Sequence, residues 1–432
     1  MARTIAHFWP EMGSWLGQMA DTRDQESITY PRRFLFWTAG MTFLLKLGSR
    51  RKLRFELDSP TALANLNALS QSKMKSCAHS DTVEHFLSHV PTGAFETVRR
   101  KMIHRLIRMK ALDYARLHGY YLLVLDGTGQ LRFQRRHCEH CLERTNNGKT
   151  YYYHNVLEAK LVTPDGLALS AASEFVENTD PHATKQDCEL KAFGRLSEKI
   201  KKHYPQLRLC LGMDALYANG TVFTTCEKNH WKYFITFKQG SMPAVWTEYQ
   251  SLLKLSRSNC KVVQKDKNIS QEFAWVEGME HIDDHKRHHT FNIFQCLEKC
   301  RQDHTESYFA WLTNFPICSD TVAELGNQGA RCRWKIENEG FNTQKNGGFN
   351  LEHAYSTKRR QMHNWYILLQ ISHMILQLVE HGSLLRQNAK LSFGSLAAMA
   401  RRLWESIRNV LIPDEALDIA AAARTQIRLN SS

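Results

Sequence analysis

The feature that most constrains this chain is a pair of apolar, strand-like runs that each close on an aspartate. Residues 120–125 (Tyr-Tyr-Leu-Leu-Val-Leu) end at Asp126-Gly127-Thr128-Gly129, and residues 207–213 end at Asp214. Between them lie two more strand-like runs, 156–162 and 167–176, joined by Thr163-Pro164-Asp165-Gly166. In that turn proline presets φ and glycine allows positive φ. Residues 185–204 then carry Leu190, Phe193, Leu196 and Ile200 at helical spacing and stop at Pro205. A helix over 222–229 and a strand over 232–237 follow. The order strand, strand, strand, helix, strand, helix, strand is a hairpin meander followed by α/β alternation, which predicts an α/β fold. In an open sheet, acids at the carboxyl ends of neighbouring strands converge on one crevice.

Outside this core the signals differ. Residues 10–32 are polar with little periodicity, and predict a loop or mobile lead-in. Over 95–110, Val98, Met102, Ile103, Leu106 and Ile107 recur at helical spacing. Arg99, Arg100, Lys101, Arg105 and Arg108 take the remaining faces. That is a basic amphipathic helix suited to lying on phosphates, or a helix with an ordinary solvated charged face. Residues 240–315 are less regular, with strand-like stretches at 272–276, 290–295 and 308–314. Ser319-Asp320 would cap a long helix running toward Thr343, and Gly347-Gly348 would stop it. Helices over 358–380 and 395–411 complete the chain.

A third acid, Glu337, lies in Arg333-Trp334-Lys335-Ile336-Glu337. In a helix, Arg333 and Glu337 are i and i+4 and share a face, and Gln344, two turns on, would point the same way. Three clustered carboxylates repel and raise one another's pKa unless a cation joins them. Oxygen ligands select Mg²⁺ or Mn²⁺. Two such ions roughly 3.5–4 Å apart can activate an attacking hydroxyl and stabilise the leaving oxygen of a phosphodiester. Composition supplies the partner: 57 Lys and Arg against 43 Asp and Glu leave a net charge of +14. An excess of that size favours a polyanion.

These residues resemble the insertion-sequence transposases of the DDE type, in the subgroup whose last acid lies in a Tyr-x2-Arg-x3-Glu-x6-Lys helix. The matching positions are Asp126, Asp214, and the Arg333/Glu337 pair. Glu339 is a rival for the third acid, but the Arg-x3-Glu spacing favours Glu337. Ala330 occupies the Tyr position and Gln344 the Lys position, with Lys345 one residue later. The resemblance implies a ribonuclease H-like mixed sheet flanked by helices, its first and fourth strands side by side. It further implies a mainly helical DNA-binding region over 1–115 and a first part of the catalytic core over 116–240. A strand-rich insertion at 241–318, the Glu-bearing second part of the core at 319–385 and a C-terminal helical region at 386–432 would follow. Asp126, Asp214 and Glu337 would hold Mg²⁺ or Mn²⁺. Arg333 and Lys345, with Arg99, Arg100, Arg105 and Arg108 of the N-terminal region, would hold DNA. The implied activity is binding of terminal inverted repeats, then metal-dependent cleavage and strand transfer of double-stranded DNA by a homodimer. A transposase-derived DNA-binding protein that no longer cuts, and a metal-dependent nuclease that does not join, are the alternatives.

Other motifs bound the function. His137-Cys138-Glu139-His140-Cys141 packs a C-x2-C and two histidines into five residues. It offers a structural zinc site at Cys138/Cys141, completed by His154 or by Cys296/Cys300, or else a Cys/His-rich loop beside the first strand. The cluster His281, Asp283, Asp284, His285, His288 and His289 predicts a solvated loop. Tyr151-Tyr152-Tyr153 offers either stacking surfaces or strand packing. Thr128 stands where an Asp-x-Asp phosphatase has its second acid, and no Gly-Lys-Ser/Thr phosphate loop is present, so ATP is not implied. Eleven cysteines scattered over 432 residues are no disulfide framework. The N-terminus shows no signal-peptide pattern and no run approaches about 18 apolar residues, so a cytoplasmic, nucleoid-associated protein with no membrane partner is expected.

Overall fold

The strand that leads to Asp126 is longer than its apolar run. β1 (Tyr121–Phe133) begins with five buried residues and continues past Asp126 in mixed burial. β2 (Leu142–Asn146) and β3 (Lys149–Val162) form a hairpin through Asn147-Gly148, whose φ angles are 49° and 72°. A two-residue turn with both central φ positive is what Asn-Gly favours; this dipeptide is the signal by which β2 could have been predicted. β1 runs antiparallel along β3, whose two halves pair on the other edge with β2 and with β4 (Ala168–Val176). The structure, a computed structural model, describes residues 1–179, 185–384, 394–413, 415, 417, 418, 422 and 427–429.

β5 (Leu209–Met213) lies beside β1 in parallel, and β6 (Lys232–Thr236) beside β5, also in parallel. The segment after 241 does not start a separate layer. β7 (Cys260–Gln264), β8 (Ile269–Ile282), β9 (His288–Cys300) and β10 (Thr305–Thr313) extend the same sheet, because β10 pairs antiparallel with β6 through Trp311 and Thr236. The result is one ten-stranded mixed sheet in the order β2-β3-β1-β5-β6-β10-β9-β8-β7, with β4 on β3.

Seven helices precede the sheet: α1 (Ala2–Phe8), α2 (Met12–Gly17), α3 (Arg32–Leu44), α4 (Lys52–Leu57), α5 (Pro60–Ser70), α6 (Ser80–His89) and α7 (Thr92–Arg108). Part of the expected lead-in is therefore helical. α2 buries Met12 and Leu16 but is only six residues long, too short to show a period. α8 (Glu189–His203) packs on β3 and β4, α9 (Gly220–Asn229) touches β9, and α10 (Pro243–Leu255) packs on β8. α10 lies in the stretch whose sequence showed no regular pattern.

The predicted long helix toward Thr343 changes pitch repeatedly. α11 (Val322–Glu324) passes into a π segment, Leu325–Gly329, then a 3₁₀ turn, Ala330–Arg333. A second π segment, Ile336–Asn342, ends in α12 (Thr343–Asn346). At Gly329 it packs closely: a Cβ there would come 2.6 Å from the Phe234 ring and 2.7 Å from Leu117. α13 (Arg359–His381) is buried almost throughout, with α3, α6 and α7 packed on it and both α7 and α13 on β4. The N-terminal helices thus share one hydrophobic core with the sheet. α14 (Leu396–Asn409) rests on α5. The expected 385/386 boundary and most of the tail beyond 413 lie outside the described residues. No described helix is long and apolar enough to cross a membrane.

Candidate acidic site

The parallel pairing of β1 with β5 places the two aspartates. Val124 is level with Gly212, so Asp126, midway along β1, and Asp214, just past the end of β5, each stand two residues beyond that pair and level with one another. β5 stops at Met213, and Asp214 turns the chain into a short 3₁₀ helix, Ala215–Tyr217, its carboxylate accepting the Leu216 amide at 2.9 Å. The Asp126 carboxylate accepts the Gly127 amide at 2.9 Å.

Arg333 links these strands to the segmented helix. Its Nη1 lies 3.4 Å from Asp126 Oδ2 and its Nη2 3.9 Å from Glu337 Oε2. The i,i+4 pairing expected from sequence is therefore present, although the backbone between is not regular α-helix. Glu339, the rival acid, is engaged elsewhere, accepting Lys335 Nζ at 2.8 Å.

Burial pushes the Asp126 carboxyl up to about 6; Asp214 and Glu337 push the same way and the Arg333 guanidinium opposes them. A fourth acid, unanticipated from sequence, belongs to the same field. Glu189, in the first turn of α8, is raised by burial and then by Asp126 and Asp214. It lies close over Gly127, where a Cβ would overlap the Glu189 carboxylate and turn it aside. Acidity in the first turn of a helix was the available signal. The Tyr217 hydroxyl is buried beside these acids without a hydrogen-bond partner.

This donor set, all carboxylate oxygen with a mutual field that raises Asp126, suits a hard divalent cation. The carboxylates stand apart, however. One group among the described residues brings three or more His, Cys, Asp or Glu ligand atoms within 4.8 Å of one another, and it is His137, Cys138, Cys141 and His154. At the acidic site Arg333 bridges Asp126 and Glu337 instead. A cleft of about 480 Å³ opens beside Asp214 and Arg333, lined by Lys238, Phe237, Trp246, Tyr308 and Trp334 among others. Trp334 and Tyr308 are 49% and 47% exposed there.

Several predicted contacts lie elsewhere. Gln344 does not share the Glu337 face: Glu337 is half exposed, whereas Gln344 is fully buried and donates to Gln370 and His373 at 2.8 Å. A π segment takes more residues per revolution than the 3.6 of an α-helix, so seven residues do not return to the starting face. Lys345 is bound to Glu352 at 2.8 Å. Arg99 faces the core, not solvent: it is 2% exposed and donates to Ser170 and Ser173. Arg100 is half-buried beside His104 and His203, and Arg105 is 3.7 Å from Glu11. Arg108 is exposed. The histidine cluster is partly structural, since His289 is buried between Asp283 and Glu227.

No family model matches the sequence, and no curated protein matches it. Among solved structures, the chain is similar to a piggyBac transposase in a synaptic complex with hairpin DNA. The identity is 11%, over 98% of this chain and 84% of that one, with a TM-score of 0.39.

Proposed function

We propose that the chain is a DNA-strand transferase of the DDE type, built on a ribonuclease H-like core and acting on the ends of an insertion sequence. The observation that carries this reading is the level placement of Asp126 and Asp214 on neighbouring parallel strands, with Glu337 tied to Asp126 through Arg333. The antiparallel β1–β3–β4 meander with β5 beside β1 supports the core assignment. Asp126, Asp214 and Glu337 are the residues that would hold Mg²⁺ or Mn²⁺. When bound, such ions supply activation of the attacking hydroxyl and stabilisation of the leaving oxygen. Arg333, already poised among the acids, would clamp a phosphate. The aromatic cleft beside Asp214 offers faces on which an unstacked base can lie. The +14 charge would hold two DNA ends, bridged by a homodimer.

The test uses duplexes carrying the element's terminal inverted repeats with Mg²⁺ or Mn²⁺, and the variants Asp126→Asn, Asp214→Asn and Glu337→Gln. Each variant is expected to lower cleavage by about 10²-fold or more, in line with several kcal/mol of lost transition-state stabilisation. Cleavage indifferent to all three would overturn the site. Binding without cleavage would identify a transposase-derived DNA-binding protein, a reading favoured by the Arg333 bridge and the spacing of the acids. Cleavage without joined products would identify a nuclease.

A further inference from the structure

We propose that His137, Cys138, Cys141 and His154 bind one structural Zn²⁺ ion, independently of the acidic site. Three of these residues come from the loop between β1 and β2, and His154 from β3. Cys138 Sγ is 3.3 Å from Cys141 Sγ and 3.4 Å from His154 Nε2; Cys141 Sγ is 3.5 Å from His154 Nε2 and 3.1 Å from His137 Nδ1. All four ligand atoms lie within 4.8 Å of one another. Tetrahedral zinc has Zn–S near 2.3 Å and Zn–N near 2.0–2.1 Å, which sets ligand–ligand edges of roughly 3.3–3.8 Å. Four of the six edges, at 3.1–3.5 Å, come within about half an ångström of those values, and the other two are no longer than 4.8 Å.

The chemistry selects the ion. Two thiols and two imidazoles are a donor set for zinc, not for magnesium or calcium. Rieske-type ligation would divide the cysteines and histidines between two irons, holding sulfur well away from nitrogen. Here each sulfur lies within 3.5 Å of an imidazole nitrogen, which suits a single ion. Four protein ligands leave no open position, so the site is structural rather than catalytic.

The surroundings are those of a metal-bound histidine. His154 and Cys141 are fully buried. The other ring nitrogen of His154, Nδ1, is buried without a hydrogen bond and faces Glu177 Oε1 at 3.8 Å. Metal-bound imidazoles commonly donate their second N–H to such a carboxylate, and a small shift of the ring would bring Nδ1 within reach of Glu177. Glu177 is in turn held by His363 at 2.7 Å and Arg359 at 2.8 Å, both in the first turns of α13. The loop is stitched to the same place, Asn178 Nδ2 donating to the Cys141 carbonyl at 3.0 Å. Bound zinc would fasten the β1–β2 loop to β3 and, through Glu177, to the start of α13.

The full-length chain, purified under reductant and desalted, is expected to carry one zinc per chain by elemental analysis. Replacement by Co²⁺ is expected to give the visible absorption of a tetrahedral ion with thiolate charge-transfer bands. Cys138→Ser combined with Cys141→Ser should lower the zinc content from one to none. Should that variant fail to fold, His154→Cys is a second probe: it preserves four ligands, so it should keep the metal and strengthen the charge-transfer bands. The proposal is overturned by a wild-type chain that retains no zinc after incubation with it, or by full zinc content in the double serine variant. A Cys138–Cys141 disulfide that persists in protein purified under reductant, or an octahedral cobalt spectrum, would overturn it equally.

Discussion

Arg333 reaches two acids at once, Asp126 at 3.4 Å and Glu337 at 3.9 Å, and its side chain is only 13% exposed. The Asp126 carboxyl stands at about 6 because burial and the neighbouring acids outweigh that guanidinium. Arg333→Gln removes the opposing charge, so the Asp126 titration is expected to move above 6, followed by carboxyl-carbon NMR. A midpoint unchanged or lowered would show that the bridge does not act on Asp126. Much at this scale was readable in the sequence. The Arg-x3-Glu spacing announced the pair, and each aspartate announced itself by closing an apolar run. Glu189 did not, because its partners arrive only when α8 folds back over Gly127.

Between elements, Arg331 of the 3₁₀ turn makes a two-pronged contact with Glu298 of β9 and holds its carboxyl down at about 2. A depressed folded pKa contributes stability that is fully present above the ordinary carboxylate value and lost as pH falls through the folded one. Arg331→Met is therefore expected to cost on the order of 1–2 kcal/mol near neutrality. The gap from wild type should close between about pH 4.5 and 2, as measured by denaturant melts across that range. Asn364 of α13 plays a different part, donating at 2.8 Å to the carbonyls of Leu87 and Val90, which end α6. Asn364→Ala strands two buried acceptors, and a loss of about 2–4 kcal/mol is expected from thermal unfolding. The central strands were legible as short apolar runs and α7, α8 and α13 by their helical spacing or length, whereas β2 and α10 were not read. The pitch changes between 325 and 342 were not legible, because they break the 3.6 period that a regular helix writes into a sequence.

Across the whole molecule, a buried charged network joins the N-terminal helices to the sheet. Arg99 of α7 lies 3.9 Å from Glu158 of β3, which also accepts Tyr366 of α13 at 2.9 Å; Lys160 Nζ is 4.0 Å away and donates to Gln370. The serines complete it because a bulge at Ala171 puts Ser170 level with Lys160 and Ser173 level with Glu158. Arg99→Ala is expected to cost about 3–5 kcal/mol, since it removes one partner of a buried pair. Arg108→Ala should leave the melting temperature unchanged. On the proposed reading it should instead reduce the salt slope of DNA binding by about 1. Melting and salt titration of the two variants separate an internal arginine from a surface one, a distinction composition cannot make.

The sequence by itself determined the order of the central elements β1, β3, β4, α8, β5, α9 and β6, the two aspartates that follow apolar runs, the Arg333–Glu337 spacing and the net charge, because each is a local pattern or a sum. Only the tertiary structure decided which strands are neighbours, that residues beyond 241 extend the same sheet, that Arg99 faces inward and Gln344 away from Glu337. It also chose His154 rather than Cys296 and Cys300 to complete the Cys/His cluster. Those outcomes depend on separations in space between residues far apart in the chain, and pairing and burial fix such separations only once the sheet and its helices close on one core.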